Sequence, residues 1–173
     1  MPTDEELIGA VAAGDGRALE ELYRRFERPL YRFFYRYTGG RDAEDLYQET
    51  WLRAVRAAGR FDPRRRFSTW LFPIAVNLCR DWQRRAPPEP VDAASIDLVA
   101  TGSGSAGATE AAIDVRRLLG VLPEAQRSAV ILRYYHDLPE AEVADILGCP
   151  RGTVKSRLHQ AMARMLQAAR DGR

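Results

Sequence analysis

Apolar residues return at three- and four-residue steps along most of this chain, the period of helices with one buried face. Over 16–38 the stripe is Leu19, Leu22, Phe26, Leu30, Phe33 and Tyr37. It predicts one long amphipathic helix, with a shorter one before it over 4–12. Gly39-Gly40 stops the long helix. Asp42 is placed to cap the next, expected to run to about Ala58. Its apolar face carries Leu46, Thr50 and Ala54, with Trp51, Leu52 and Val55 nearby. Gly59 ends it, and residues 60–67 read as a loop. Ser68 is the expected cap of a helix from Thr69 to about Arg85. Pro73 falls inside that helix and should bend it or cost stability.

From Ala86 the periodicity vanishes. Pro87, Pro88 and Pro90 are followed by Thr-Gly-Ser-Gly-Ser-Ala-Gly, a flexible-linker composition over 86–112. Such a linker lets two domains bind separate sites at once. Helical spacing resumes at Ile113. A helix over 113–120 presents Ile113, Arg117 and Leu118; Pro123 opens another, to about His136, with Val130, Ile131 and Tyr134 inward. Pro139 to Leu147 is a short helix with Val143, Ala144 and Leu147 facing in. Gly148-Cys149-Pro150 forms a turn, since glycine takes the left-handed backbone state and proline can open a helix. In the helix that follows, Val154, Leu158, Ala161 and Met165 make one inward stripe. No strand signal appears. The expected fold is all-α: a helical domain over 1–85, a linker over 86–112 and a helix-turn-helix domain over 113–173.

Composition adds little until charge is mapped. The formal net charge of the 173 residues is +2. Yet 60–85 holds Arg60, Arg64, Arg65, Arg66, Arg80, Arg84 and Arg85 against Asp62 and Asp81, and 151–170 holds Arg151, Lys155, Arg157, Arg164 and Arg170 with no acid. Two separate basic stretches suggest one polyanion touched at two places; two solvated helix faces are the plainer reading. No apolar run is long enough for a membrane span. The start, Met1-Pro-Thr-Asp-Glu-Glu, is acidic where a signal peptide is basic, so a cytoplasmic protein is expected. Cys79 and Cys149 form no C-x-x-C pair and read as small buried thiols. No Gly-rich phosphate loop, metal cluster or nucleophile constellation stands out, which argues against an enzyme and against a cofactor.

The outer face of the last helix carries Gly152, Ser156, His159, Gln160 and Ala163, flanked by Lys155. A recognition helix in a major groove needs such a compact polar surface. Gln160 suits adenine, Lys155 guanine, and Ser156 either base or phosphate. Arg151, Thr153 and Arg157 lie nearer the flanks and suit phosphates. In the first domain, Phe61, Phe67, Trp70 and Trp82 interleave with arginines. That mixture suits single-stranded DNA, where cations track phosphates and rings stack on bases.

Residues 42–55, Asp-Ala-Glu-Asp-Leu-Tyr-Gln-Glu-Thr-Trp-Leu-Arg-Ala-Val, and 60–82, from Arg-Phe-Asp-Pro-Arg-Arg-Arg-Phe-Ser-Thr-Trp to Asn-Leu-Cys-Arg-Asp-Trp, resemble region two of bacterial sigma factors. Residues 118–166 resemble region four. The chain is most similar to the extracytoplasmic-function (ECF) subfamily, which keeps only these two regions. The resemblance implies an alternative sigma factor that binds core RNA polymerase, recognises the −10 and −35 promoter elements and promotes melting, without covalent chemistry of its own. It implies that Asp42, Glu44, Asp45, Leu46, Gln48, Glu49 and Trp51 dock on the clamp coiled coil of the polymerase's largest subunit. An acidic face around an apolar centre suits a basic helical partner. It assigns Arg60, Phe61, Arg64, Arg65, Arg66, Phe67, Ser68, Trp70, Asn77, Arg80 and Arg84 to the −10 element, with a flipped base held by the loop 60–66 and Asn77. Arg151, Thr153, Lys155, Ser156, Arg157, His159 and Gln160 fall to the −35 element, and region four also to the flap of the second-largest subunit. An anti-sigma factor is an expected partner, and no further C-terminal domain is expected. Pro73 and Gln160 both stand where relatives often carry Arg, so phosphate contacts at Pro73 and the −35 preference at Gln160 should differ.

Two rivals remain at this point. A helix-turn-helix regulator with an unrelated sensor domain would bind duplex operators without polymerase, but leaves 42–85 unexplained. A helical adaptor would not bind DNA at all.

Overall fold

The computed structural model describes residues 1–85 and 115–172; the predicted linker and Ile113 lie outside them. The described residues are helical, without strands. The first domain comprises α1 (Asp4–Ala12), α2 (Gly16–Thr38), α3 (Ala43–Ala57), a short turn of tighter helix (Ala58–Arg60) and α4 (Phe67–Arg85). The second comprises a helix over 115–120, here α5, then α6 (Glu124–Val130), a wider π-type turn (Ile131–Tyr135), α7 (Glu140–Leu147) and α8 (Arg151–Asp171).

Local chemistry sets most boundaries. Thr3 and Glu6 form a reciprocal capping box at the start of α1. The Asp15 carboxylate accepts from the N–H groups of Arg17 and Ala18 at the start of α2. Gly39 ends α2 in the left-handed state. Gly40 follows at φ 93°, where an added Cβ would lie 2.9 Å from the Tyr35 ring, so glycine is required there. Neither Pro29 nor Pro73 ends its helix; α2 and α4 run through them.

Two expected caps are corrected. Asp42 adopts a left-handed backbone and makes no cap bond; its carboxylate instead accepts from Trp82 Nε1 at 2.8 Å. Ser68 lies inside α4, which starts at Phe67, and the Phe67 N–H donates to Glu5 Oε1 of α1 at 2.9 Å. Glu5 therefore satisfies a helix-start donor from 62 residues away.

The first core is built from Ile8, Leu22, Leu30, Phe33, Phe34, Trp51, Phe67 and Leu71, all fully buried. Each such side chain contributes ~1.5–3 kcal/mol on burial. Tyr23 stacks on Trp51 with centroids 4.5 Å apart, tying α2 to α3.

In the second domain Val143, Ala144 and Leu147 point inward as expected, with Ile146 as well, and Gly148 turns the chain at φ 62° into α8. Val154, Leu158 and Ala161 are buried beneath α8. The stripe of α5 runs through buried Leu119, whereas Arg117 is exposed and Leu118 half-buried. The expected single helix to His136 is interrupted by the π-type turn. That turn carries Leu132 inward and leaves Tyr134 half exposed, contrary to the inward placement read from its spacing. A π-type turn advances fewer degrees per residue than an α-helix, so the stripe rotates.

The two domains pack together. Arg36 of α2 sits 4.3 Å over the Tyr135 ring, and His136 lies against Phe33 of α2 and Phe72 of α4. Arg127 of α6 is 8% exposed, yet its guanidinium donates to the carbonyls of Leu119, Gly120, Leu122 and, across the domains, Tyr37.

Candidate polymerase and nucleic-acid interfaces

Helix α4 turns one linear stretch into a surface. Arg66 just before it and Trp70, Pro73, Asn77, Arg80 and Arg84 along it follow three- and four-residue steps, so they share one side. Arg66, Asn77 and Arg84 are exposed; Trp70, Pro73 and Arg80 are half-buried. Arg80 Nη1 donates to the Asn77 amide oxygen at 3.3 Å. Arg84 pairs with Asp81. The loop before α4 is pinned by Asp62, which accepts from the Arg64 N–H at 3.0 Å and chelates the Arg64 guanidinium. Those bonds from Arg64 hold the Asp62 carboxyl down to about 2. Arg60, Arg64 and Arg65 are exposed, and Phe61 and Ser68 half-buried.

Three rings expected to meet bases instead touch one another: Phe61 meets Trp70 at 5.5 Å and Phe67 at 6.1 Å, edge to face. Phe67 is wholly buried and leaves the list of base-stacking candidates. An open cleft of about 520 Å³ lies beside the loop, lined by Pro63, Arg64, Arg65 and Arg66 on one side and Thr3, Glu5 and Glu6 on the other. Asn77 is not part of its lining. The contribution of α1 to this cleft was not visible in the sequence, because Glu5 lies far from the basic segment along the chain.

On α3, Asp42, Glu44, Asp45 and Gln48 are exposed and Glu49 half-buried. Gln48 donates to Glu44 at 3.4 Å and Arg53 pairs with Glu49 at 2.7 Å. Leu46 and Trp51 are corrected: at 9% and 2% exposure they belong to the core. The apolar centre of the acidic face is instead Leu52, 52% exposed, with Val55.

On α8, Arg151, Gly152, Lys155, Ser156, His159, Gln160 and Ala163 are exposed, while Thr153 and Arg157 are half-buried at its edge. Ser156 Oγ donates back to the Gly152 carbonyl at 3.0 Å. Gln160 Oε1 accepts from Gln126 Nε2 of α6 at 3.1 Å, which fixes the orientation of its amide. Arg157 Nη1 reaches Cys149 Sγ at 3.5 Å. Cys149 is half-buried and Cys79 fully buried, where burial pushes its thiol up.

A helical domain with a basic, aromatic-bearing helix, joined in one chain to a helix-turn-helix domain, has the make-up of a DNA-binding protein with two separate contact surfaces. Residues 22–87 match Sigma-70 region 2, and 112–165 match Sigma-70 region 4. The chain is 39% identical over 165 residues to the ECF RNA polymerase sigma factor SigM of Mycobacterium tuberculosis, covering 94% of this chain and 83% of that one. It is 30% identical to SigW of Bacillus subtilis, covering 95% of each. Among solved structures, CnrH in complex with the cytosolic domain of CnrY matches with a TM-score of 0.74 at 26% identity, over 98% of this chain and 97% of that one. The chain belongs to the ECF RNA polymerase sigma factors. It is an alternative sigma factor for transcription initiation, with RNA polymerase and promoter DNA as its partners; the free-standing regulator reading is not favoured.

Proposed function

We propose that the three surfaces divide the work of initiation. The exposed part of α3, with Asp42, Glu44, Asp45, Gln48 and Glu49 around Leu52, docks on the clamp coiled coil of the largest polymerase subunit. The side of α4 running from Arg66 to Arg84, with the loop 60–65, holds the separated −10 strand. Arginines take phosphates, Trp70 and Phe61 offer ring edges, and Asn77 reads a base. The exposed face of α8 enters the major groove at the −35 element, and the second domain rests on the flap of the second-largest subunit. The chain does no covalent chemistry itself and works in the cytoplasm; no described helix is long and apolar enough to cross a membrane. An anti-sigma factor is the expected controlling partner, and CnrH, which this chain resembles, was solved bound to another protein, the cytosolic domain of CnrY. The observation that carries this division is the α4 stripe: one helix side gathers three arginines, a tryptophan and an asparagine.

Two variants test it. Leu52→Glu should lower affinity for core polymerase at least about tenfold, the loss of an interface anchor, with unchanged melting temperature. Asn77→Ala should keep core affinity and lower promoter opening, read by permanganate reactivity of unpaired thymines. Core affinity equal to wild type in Leu52→Glu removes α3 from the interface, and unchanged opening in Asn77→Ala removes Asn77 from base reading.

A further inference from the structure

Gln160, on the exposed face of α8, does not stand alone. Its Oε1 accepts from Nε2 of Gln126 on α6 at 3.1 Å. Helix α6 packs directly against α8. Gln126 is 6% exposed, so its amide is an internal group rather than a surface one. The next residue along α6 is Arg127, whose guanidinium is held by four carbonyls. Helix α6 is therefore a firm mount for the amide beside it. Gln126 Oε1 is buried without a partner among the described residues. Turning both amides over would give that oxygen a bond but leave both hydrogens of Gln126 Nε2 buried and unpaired. A buried acceptor is left unpaired more readily than a buried donor, which favours the arrangement seen.

A side-chain amide carries its oxygen and its NH2 group on two sides of one carbon. With the Gln160 oxygen turned inward to α6, its NH2 group faces outward. A glutamine pairs with adenine through both atoms at once, accepting from N6 and donating to N7. Here the acceptor is engaged inside the protein, and a groove over α8 meets a donor alone. We propose that Gln126 is a positioning residue that sets base preference: by holding the Gln160 oxygen, it makes Gln160 a donor-only reader of guanine or thymine in the −35 element, in place of the two-atom pairing with adenine. This rests on α8 being the −35 surface. Guanine offers O6 and N7 and thymine offers O4, all acceptors, whereas the amino groups of adenine and cytosine set hydrogens against hydrogens. Gln126 itself touches no base; it acts through Gln160.

The test uses holoenzyme assembled from core polymerase and the full chain, on a promoter library randomised across the −35 element. Gln160→Ala identifies the base pair beneath Gln160 as the position whose preference it flattens. Wild type should favour guanine or thymine there, on one strand, by about fivefold, the scale of one hydrogen bond. Gln126→Met keeps the volume and removes the amide, so it should move the preference to adenine on that same strand. Retention of the wild-type pair, or loss of all preference at that position, overturns the proposal while leaving α8 at the −35 element. A second measurement needs no variant of Gln126. In the nitrogen-15-labelled wild-type chain, the side-chain NH2 protons of Gln160 should exchange freely with solvent, and the bonded proton of Gln126 at least about tenfold more slowly. Slow exchange at Gln160 with fast exchange at Gln126 overturns the inward oxygen. If Gln160→Ala flattens no position, Gln160 is not a −35 reader, and the proposal falls with that reading.

Discussion

Arg127→Met removes the most heavily used buried cation in the fold, and the cost can be worked from its bonds. The guanidinium caps the ends of two helices at once: the Leu119 and Gly120 carbonyls close α5, and the Tyr37 carbonyl lies in the last turn of α2. The negative ends of both helices favour a cation there; the Leu119 carbonyl also accepts from the Leu122 N–H at 3.2 Å and keeps that bond in the variant, so the buried acceptors at stake are the Tyr37 and Leu122 carbonyls. Three of its four bonds are buried, to Leu119, Tyr37 and Leu122; the Gly120 bond is nearer solvent. Methionine fills similar space but donates nothing. Each buried acceptor left unsatisfied costs about 1 kcal/mol or more. Burial disfavours the charged guanidinium and pulls its pKa down, so its removal returns part of that cost. The net loss should be about 2–3 kcal/mol. For a chain of 173 residues that corresponds to a melting temperature lower by about 5–10 °C. Arg127→Lys should fall between, since one ammonium cannot span four carbonyls. Thermal unfolding followed by circular dichroism reads both. A Met variant within about 1 °C of wild type would refute the reasoning.

Two further outcomes are expected. His136 has a pKa lowered to about 4, first by burial, then by Arg36 and Arg32, with Asp137 opposing. The packed state therefore prefers the neutral ring. Its contribution is complete above the ordinary value of 6.5 and is lost as pH falls from 6.5 towards 4, up to about 3 kcal/mol. Chemical denaturation of wild type should show this loss, His136→Phe should lack it, and equal pH slopes in the two proteins would refute the assignment. Gln160→Arg should change the preferred −35 bases in a binding-site selection; the same bases for both proteins would remove Gln160 from readout.

Much of the architecture was legible because amphipathic periodicity is a backbone property. The stripe Leu22, Leu30, Phe33 and Tyr37, the inward set Val143, Ala144 and Leu147, and Gly148 at the turn all lie where spacing placed them. What escaped depended on partners distant in sequence. The cap of α4 comes from Glu5, so Ser68 was a reasonable local choice that long-range structure overrode. Leu46 and Trp51 were read as surface through the family resemblance, yet α2 covers Trp51 with Tyr23 and leaves Leu52 outside. Tyr134 faces outward because a π-type turn breaks the period, and no residue type announces such a turn. Arg127 reads as a surface cation in any window; its burial follows from helix ends that meet only in the folded chain.

The most direct test of the central claim is run-off transcription with bacterial core polymerase on a promoter library, with and without this protein. Selective starts that require the protein, preceded by shared −10 and −35 sequences, are the expected result. Absence of core binding and of protein-dependent starts, with duplex DNA still bound by the protein alone, would contradict it.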